Sequence, residues 1–460
     1  MNLATARSEK RAKEVGIRKT VGSVRGQLVT QFFSESLLVV AFALVLSIGL
    51  VQLILPFFNE VADKKMTILW TNPLFWLLGV GFSLLTGLVA GSYPALYLSS
   101  FQPVKVLKGT FRVGKLAAVP RRVLVVVQFT VSVTLIIGTM VVYRQIQHAK
   151  ARPVGYTRDG LVMTYVGTPD IHNHFEAVRD DLRTAGAIVE MTYSTSPVTE
   201  VWNSNGGFHW KGKDPSLAVS FPNNGVTHEY GKTVGWQFKE GRDFSRKFAT
   251  DSSAMVINEA AAKFMSLQHP VGEIVKWDDK PYTVVGVIKD MLVESPYAPV
   301  QPSVFHISKE RQNVILLKLP PSRPARESLA KIDAVFKKYA PALVFEYDFV
   351  DDEYATKFGD EERIGTLSGF FAMLAILISC LGIFGLASFT AEQRTKEIGI
   401  RKILGATVYN LWALLSKDFV RLVLISFLIA VPVAWYFMDG WLQRYEYRTT
   451  ISWWVFAVSG

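Results

Sequence analysis

The chain has 460 residues, half of them apolar or aromatic and only 19% charged. This composition, with a mean hydropathy of +0.23, excludes disordered, collagen-like and disulfide-rich proteins and is too apolar for an ordinary soluble protein of this length. The single Cys380 cannot form an intramolecular disulfide. The formal net charge of +11 would suit nucleic acid only if it were spread over a soluble surface.

The net positive charge is confined to the two ends of the chain. Residues 150–362 hold 25 basic and 29 acidic side chains, whereas the flanking segments hold 25 basic and 10 acidic ones. These flanks also contain the long apolar runs, a combination typical of the cytoplasmic loops of membrane proteins. We therefore predict a lipid bilayer as a partner and no nucleic acid.

Five apolar runs are long enough to cross a bilayer, since about 20 helical residues span the hydrocarbon core. They cover residues 33–57, 74–98, 123–143, 364–389 and 411–437. A sixth run begins at Ile451 and continues to the last residue. We predict an α-helical integral membrane protein with about six spans, the last one truncated, and we expect the chain to be a fragment.

The basic residues of the segments that connect the apolar runs predict the orientation of the chain in the membrane. Seven Lys and Arg precede the first run, six lie between the second and third, and four between the fourth and fifth. The opposite connections carry two each, Lys64 and Lys65 in one and Arg444 and Arg448 in the other. The richly basic segments are therefore expected in the cytoplasm, and residues 144–362 outside, in the periplasm of a bacterium with an inner membrane.

Residues 144–362 have the composition of a globular α+β domain. We predict strands at 161–165, 187–193, 255–258, 314–319 and 343–350, and a hairpin of 271–277 with 282–288. We predict helices at 171–184, 259–265 and 326–339. The segment is long enough to bury its own core.

The sequence of this domain contains no recognisable catalytic or metal-binding motif. His172 and His174 lack a third metal ligand at a recognisable spacing, so a solvated helix start is the more economical interpretation. The acidic residues of 348–353 lack the glycine and the ligand spacing of a calcium-binding loop, and we expect them to begin the helix that becomes the fourth span. We predict no catalytic residue, no metal and no directly bound cofactor.

A long-range repeat is the strongest signal in the chain. Lys13-Glu-Val-Gly-Ile-Arg-Lys19 recurs 383 residues later as Lys396-Glu-Ile-Gly-Ile-Arg-Lys402, and each copy precedes an apolar run. At the same offset Gly22 matches Gly405 and Glu35 matches Asp418. A single copy could be a juxtamembrane segment obeying the positive-inside rule, but charge bias does not require Glu and Gly at fixed positions. The period indicates duplication of a membrane unit.

This motif resembles the FtsX-like permease domain of MacB-type ABC transporters. Ser92-Tyr-Pro-Ala95 and Pro103-Val-Lys-Val-Leu-Lys108 are similar to segments of the duplicated permeases of that family. Val256-Ile-Asn-Glu-Ala-Ala-Ala-Lys263 and Pro270-Val-Gly-Glu273 resemble the MacB-like periplasmic core domain.

The resemblance implies a domain organisation. It places a cytoplasmic coupling helix in residues 1–32 and two spans with a basic linker in 33–122. A further span would occupy 123–143, the periplasmic core domain 144–362 and a truncated second permease domain 363–460.

The resemblance also implies a mechanism. A dimer of separate ABC-type ATPases would use ATP in the cytoplasm and move the periplasmic domain through the spans, which is called mechanotransmission. A periplasmic adaptor or an outer-membrane protein could be a further partner. The residues that would dock the ATPase are those of the two motif copies: Lys13, Glu14, Gly16, Arg18, Lys19, Gly22, Lys396, Glu397, Gly399, Arg401, Lys402 and Gly405.

Three other functions were compared with this interpretation. Residues 109–116 approach a phosphate-binding loop, but Leu116 stands where Ser or Thr would hold Mg²⁺, so a basic linker is favoured over an ATPase. A membrane-embedded enzyme is disfavoured because Glu35 and Asp418 are better explained by contacts with the neighbouring basic helix. A sensor or scaffold that regulates a periplasmic partner, such as a cell-wall hydrolase, would share the fold and stays open.

Overall fold

The structure is a computed structural model that describes residues 12–99, 119–165, 168–308 and 314–459. Contacts divide the chain into two units, which are named here for their content. The membrane unit comprises Met1–Arg144, Glu361–Leu442 and Thr450–Gly460. The α+β unit comprises Gln145–Asp360 and Gln443–Thr449.

The described residues form fourteen α-helices, numbered in chain order. They are α1 Ala12–Thr20, α2 Arg25–Ala62, α3 Pro73–Ser99, α4 Val119–Lys150, α5 Pro169–Asn173, α6 Phe175–Thr184, α7 Tyr230–Val234, α8 Glu259–Phe264, α9 Ala325–Tyr339, α10 Val350–Thr356, α11 Gly359–Gln393, α12 Thr395–Ile403, α13 Val408–Leu442 and α14 Trp453–Ser459.

Five of these helices, α2, α3, α4, α11 and α13, are long and apolar enough to cross a membrane. They contain the five predicted full-length spans and extend beyond them, because the polar residues at each end continue the same helix. Their outward surfaces carry many large exposed apolar side chains, such as Leu38, Phe82 and Leu428, as expected for lipid-facing helices. The predicted fold class, a helical membrane protein with an inserted α+β domain, is confirmed.

Close packing holds α2 against α3. A Cβ atom added at Gly87 would lie 2.7 Å from Cδ2 of Leu37, and one at Gly91 would lie 2.9 Å from Oγ of Ser36. Small residues at a helix–helix contact let the two backbones approach, which is how membrane helices gain van der Waals contact without a hydrophobic driving force. Gly87 and Gly91 are therefore packing positions between α2 and α3.

The α+β unit is built on one mixed sheet. Its strands are β1 Leu161–Tyr165, β2 Glu190–Ser194, β3 Ser204–Asn205, β4 Phe208–His209, β5 Phe221–Val226, β6 Phe238–Gly241, β7 Ala254–Asn258, β8 Ile274–Trp277, β9 Lys280–Ile288, β10 Val304–Ile307, β11 Val314–Lys318 and β12 Asp348–Phe349. The order is β12-β1-β11-β2-β5-β10-β7-β9-β8-β4, with β3 on β5 and β6 on β9. The β5–β10 and β7–β9 pairs are parallel and the others antiparallel.

Both faces of the central strands are buried. In β1, Leu161 and Met163 face a core that includes Tyr230 and Tyr354, whereas Val162 faces the core formed with α6 and α9. This double burial explains why β1 and β11 are continuous apolar runs without polar alternation, and why both were predicted.

Several predicted elements of this unit were wrong in extent. The helix expected at 171–184 is interrupted at His174, whose backbone leaves the helical region and whose ring nitrogen lies 2.8 Å from the carbonyl oxygen of Asp170. Of 343–350 only β12 is a strand, and of 187–193 only the part from Glu190 onward is. Asp351, Asp352 and Glu353 of the acidic run lie in the first turn of the short helix α10, whereas Asp348 lies in β12. Helix α10 ends before α11 starts at Gly359, so the acidic residues do not lead directly into the fourth span.

Candidate functional site

The two copies of the motif adopt the same local structure. Helix α1 and helix α12 have nine residues each, and their boundaries are related by the same offset of 383 residues as the sequences. The long helices that follow begin at Arg25 and Val408, which obey the same offset. The sequence repeat is therefore a repeat of a short helix, a turn and a span.

Both short helices end in the same hydrogen-bonded turn. The amide of Ser23 donates to the carbonyl of Arg18 over 3.0 Å, and that of Ala406 donates to Arg401 over 2.9 Å. One residue earlier, Gly22 donates to Lys19 and Gly405 to Lys402, over 3.2 and 3.1 Å. This is the Schellman pattern, which needs a residue in the left-handed region after the helix.

Glycine meets that requirement in both copies. Gly22 has φ +105° and Gly405 has φ +92°, values at which any Cβ atom is strained. The basic residues Arg18, Lys19, Arg401 and Lys402 lie in the last turn of their helices, where they complement the negative end of the helix dipole. Partial burial and the nearby Arg25 lower the pKa of Lys19.

Each short helix is tied to the span that follows it by a polar bridge. In the first copy Arg18 donates to Oε1 of Gln31 over 2.8 Å, and Gln31 donates to Oε1 of Glu35 over 3.1 Å. In the second, Arg394 lies 3.4 Å from Oδ2 of Asp418, which is the equivalent of Glu35. Asp418 thus contacts the basic residue that immediately precedes α12, whereas Glu35 is joined to α1 by way of Gln31.

The two helices differ in how far they are buried. Val15 of α1 packs against Leu28, Phe32 and Ala95, whereas α12 has no buried residue. Glu397 and Arg401 form an ion pair of 2.7 Å along the exposed surface of α12. A Cβ atom added at Gly399 would meet no heavy atom of the described residues within 4 Å.

Apolar side chains accompany these charges. Ile400 is 60% exposed, Ile403 88% and Leu404 80%. Helix α12 therefore presents a mixed cationic and apolar surface with a bare glycine at its centre, to which another backbone could come close. Lys13, Glu14 and Gly16 of the first copy lie in α1, and Lys396 lies in the first turn of α12. Residues 109–116, the near match to a phosphate-binding loop, lie outside the described residues.

The α+β unit contains several buried or half-buried polar side chains, and the surroundings of the titratable ones bear on any binding site. Among the described residues no group of three His, Cys, Asp or Glu side chains could hold a metal ion. His172 packs beside the ring of Tyr193. Burial lowers the pKa of His306 to about 4, and its ring contacts Trp277 and Nδ1 lies 2.9 Å from Asn223. Burial raises the pKa of Asp243 to about 6, against hydrogen bonds from Trp236 and the amide of Phe244.

Two family models match the chain. The FtsX-like permease C-terminal model matches residues 1–103 and 369–460, so each matched segment contains one copy of the motif. The MacB-like periplasmic core domain model matches residues 123–335. Together they cover most of the sequence, and the chain belongs to the FtsX-like permeases that carry a MacB-like periplasmic core domain.

Curated relatives agree with this assignment. The chain is 26% identical over 196 residues to the macrolide export ATP-binding/permease protein MacB of Haemophilus ducreyi, covering 40% of this chain and 28% of that protein. It is 30% identical over 231 residues to the uncharacterized ABC transporter permease YknZ of Bacillus subtilis, covering 46% and 56%. The chain thus spans less than two thirds of the length of these relatives.

Solved structures match part of the chain. The periplasmic region of MacB from Actinobacillus actinomycetemcomitans matches with a TM-score of 0.31 and 16% identity, covering 43% of this chain and 92% of that one. The extracellular domain of the ABC-type transporter YknZ from Gram-positive bacteria matches with a TM-score of 0.30 and 13% identity, covering 41% and 97%.

Proposed function

We propose that this chain is the permease subunit of an ABC transporter in the bacterial inner membrane. In this proposal α1 and α12 lie in the cytoplasm and dock a dimer of separate ABC-type ATPases, which bind and hydrolyse ATP. The α+β unit lies in the periplasm and is moved by the spans. Export is the proposed direction, by analogy with the macrolide export named for the Haemophilus ducreyi relative.

The observation that supports this proposal most directly is the repeated pair of short helices. A segment that served only to keep positive charge in the cytoplasm would not need the same nine-residue helix and the same left-handed glycine in both copies. Equivalent helices suit a dimeric partner because each can meet one of two identical surfaces.

The chemistry of α12 indicates how an ATPase would be held. Glu397 and Arg401 present charges of both signs, which fix the orientation of a partner, and Ile400 and Ile403 supply apolar area that docking would remove from water. The bare surface at Gly399 permits a close approach.

Charge reversal tests the docking. The tagged chain is co-expressed with stand-alone ABC-type ATPase subunits of its source organism and captured in mild detergent. We expect the double variant Glu14→Arg, Glu397→Arg to retain the fold but to capture on the order of tenfold less ATPase, because it places like charges beside the basic residues of both helices. Glu60→Arg, an exposed charge reversal at the other end of α2, is the matched control and should capture as much as the parent.

Equal capture by the parent and the double variant contradicts the proposal. The repeated helices would then be anchors obeying the positive-inside rule, and a sensor or scaffold without an ATPase on these helices would account better for the chain.

A further inference from the structure

The segment that follows the fifth long helix belongs to the α+β unit. Residues Gln443–Thr449, named here the return segment, continue directly from α13. Its neighbours are the last two turns of α4, from Gln145 onward, and the loop around Tyr297, all of them within the α+β unit.

Gln145 holds the return segment with both ends of its side-chain amide. Nε2 donates to the carbonyl of Tyr447 over 2.8 Å, and Oε1 accepts from the amide of Thr449 over 2.8 Å. The side-chain amide thus bonds a backbone carbonyl and a backbone amide of the return segment, as the backbone of a neighbouring strand would. Only one orientation of the side-chain amide satisfies both bonds. Gln145 is fully buried, so removing its amide leaves two backbone groups without partners.

Tyr447 connects the same segment to two further elements. Its amide donates to the carbonyl of Tyr297 over 2.9 Å. Its ring is stacked on that of His148, with centroids 4.5 Å apart and planes 7° apart, and the guanidinium of Arg152 lies 4.2 Å from its centroid. The stacking and cation–π contacts hold the ring of Tyr447 in place, and the backbone hydrogen bonds hold the return segment itself.

Arg152 links the return segment to the loop 295–298 of the α+β unit. Its Nη1 donates to the carbonyls of Pro296 and Ala298, over 2.9 and 2.6 Å. The loop 295–298 is therefore held by the half-buried side chain of Arg152 and by the backbone of the return segment together.

We propose that the return segment is the tie through which movement of α13 reaches the α+β unit, and that Gln145 is the positioning residue that holds it. This inference rests on the proposed function. Because the segment is covalently continuous with α13 and hydrogen-bonded to α4 and to loop 295–298, a displacement of the helix end is passed to that loop as long as the amide of Gln145 is in place.

The test uses the full chain with its co-purified ATPase in lipid nanodiscs and follows amide exchange by mass spectrometry. Exchange is measured in residues 295–298 and 443–449, without nucleotide and with Mg-ATP and vanadate. The variant is Gln145→Leu, and the matched control is Gln147→Leu, an exposed glutamine two residues further along the same helix.

We expect Gln145→Leu to capture ATPase normally, to exchange the amides of the return segment about tenfold faster without nucleotide, and to lose the nucleotide response of loop 295–298. Gln147→Leu should behave as the parent does. If Gln145→Leu does not accumulate as folded protein, Tyr447→Ala removes the ring contacts but keeps the bonds to Gln145, and should weaken the same response at least twofold.

The outcomes separate this inference from the proposed function. A nucleotide response at 295–298 that survives unchanged in Gln145→Leu, or in Tyr447→Ala where that variant is used, overturns the inference alone. A parent chain that binds ATPase but shows no nucleotide response in either region overturns mechanotransmission and the inference with it.

Discussion

At the scale of single residues, the glycines of the repeat have two different roles. Gly22 and Gly405 follow the ends of their helices and adopt the left-handed region, so their role is to allow a backbone conformation that other residues rarely adopt. Gly399 lies within a helix and has open space beside it among the described residues, so its role is to leave the helix surface without a side chain at that point. The motif alone does not distinguish these roles, because sequence spacing shows where a glycine is but not which φ it adopts.

Two alanine variants separate the roles. Gly405→Ala should destabilise the end of α12 by about 1 kcal/mol, because a Cβ atom is strained at φ +92°. Gly399→Ala should instead strengthen the isolated helix by up to about 1 kcal/mol, since alanine is the better helix former, while reducing ATPase capture. Amide exchange in α12 and capture in detergent measure the two effects; opposite signs for the two variants in exchange are the decisive result.

Strand β5 shows why some residues could not be assigned from sequence. Phe221–Val226 contains Pro, two Asn and Gly, which are depleted in strands, yet every one of its residues is buried. Oδ1 of Asn224 accepts from the amides of Thr195 and Ser196, and Asn223 contacts His306. These partners come from distant parts of the chain, so the local sequence holds no signal for the strand.

At the scale of elements, the long apolar helices were predicted, whereas several short elements were wrong in extent or were missed. A span is recognised from the apolar composition of about 20 consecutive residues. The hairpin of β8 with β9 was recognised from the alternation of apolar and polar residues in its two strands. The two-residue strands β3, β4 and β12 owe their existence to pairing with other strands, and their sequences are too short to show a period.

The contact of α2 with α3 gives a prediction at this scale. Gly91→Leu should weaken the membrane unit by about 2 kcal/mol, because its side chain must displace Ser36 and Phe33. Gly79→Leu, on the same helix with nothing within 4 Å among the described residues, is the matched control and should be neutral. Unfolding by titrated dodecyl sulfate measures both; equal loss in the two variants would show that the α2–α3 packing is not what the leucine disturbs.

At the scale of the whole molecule, the order of segments was predicted from charge and hydropathy. Alternating basic and neutral connections placed the two motif copies on one side of the membrane, and the globular composition of 144–362 placed a domain between spans. The return segment was not predicted, since seven residues after a span show no pattern that indicates contact with Gln145 and Tyr297, which lie more than a hundred residues away in sequence.

The central claim is that α12 meets an ATPase, and site-specific cross-linking tests it most directly. Cys380 is the only cysteine in the chain, so Cys380→Ser provides a background in which one new cysteine carries a photoactivated benzophenone label. Ile400→Cys places the label on the exposed surface of α12, and Leu428→Cys places it on α13 at a somewhat more exposed position within the span.

With the ATPase co-expressed, we predict a cross-linked permease–ATPase product from the label at position 400 and none above background from that at position 428. A product of equal yield from both positions, or a product from position 428 alone, would contradict the docking of an ATPase on this helix.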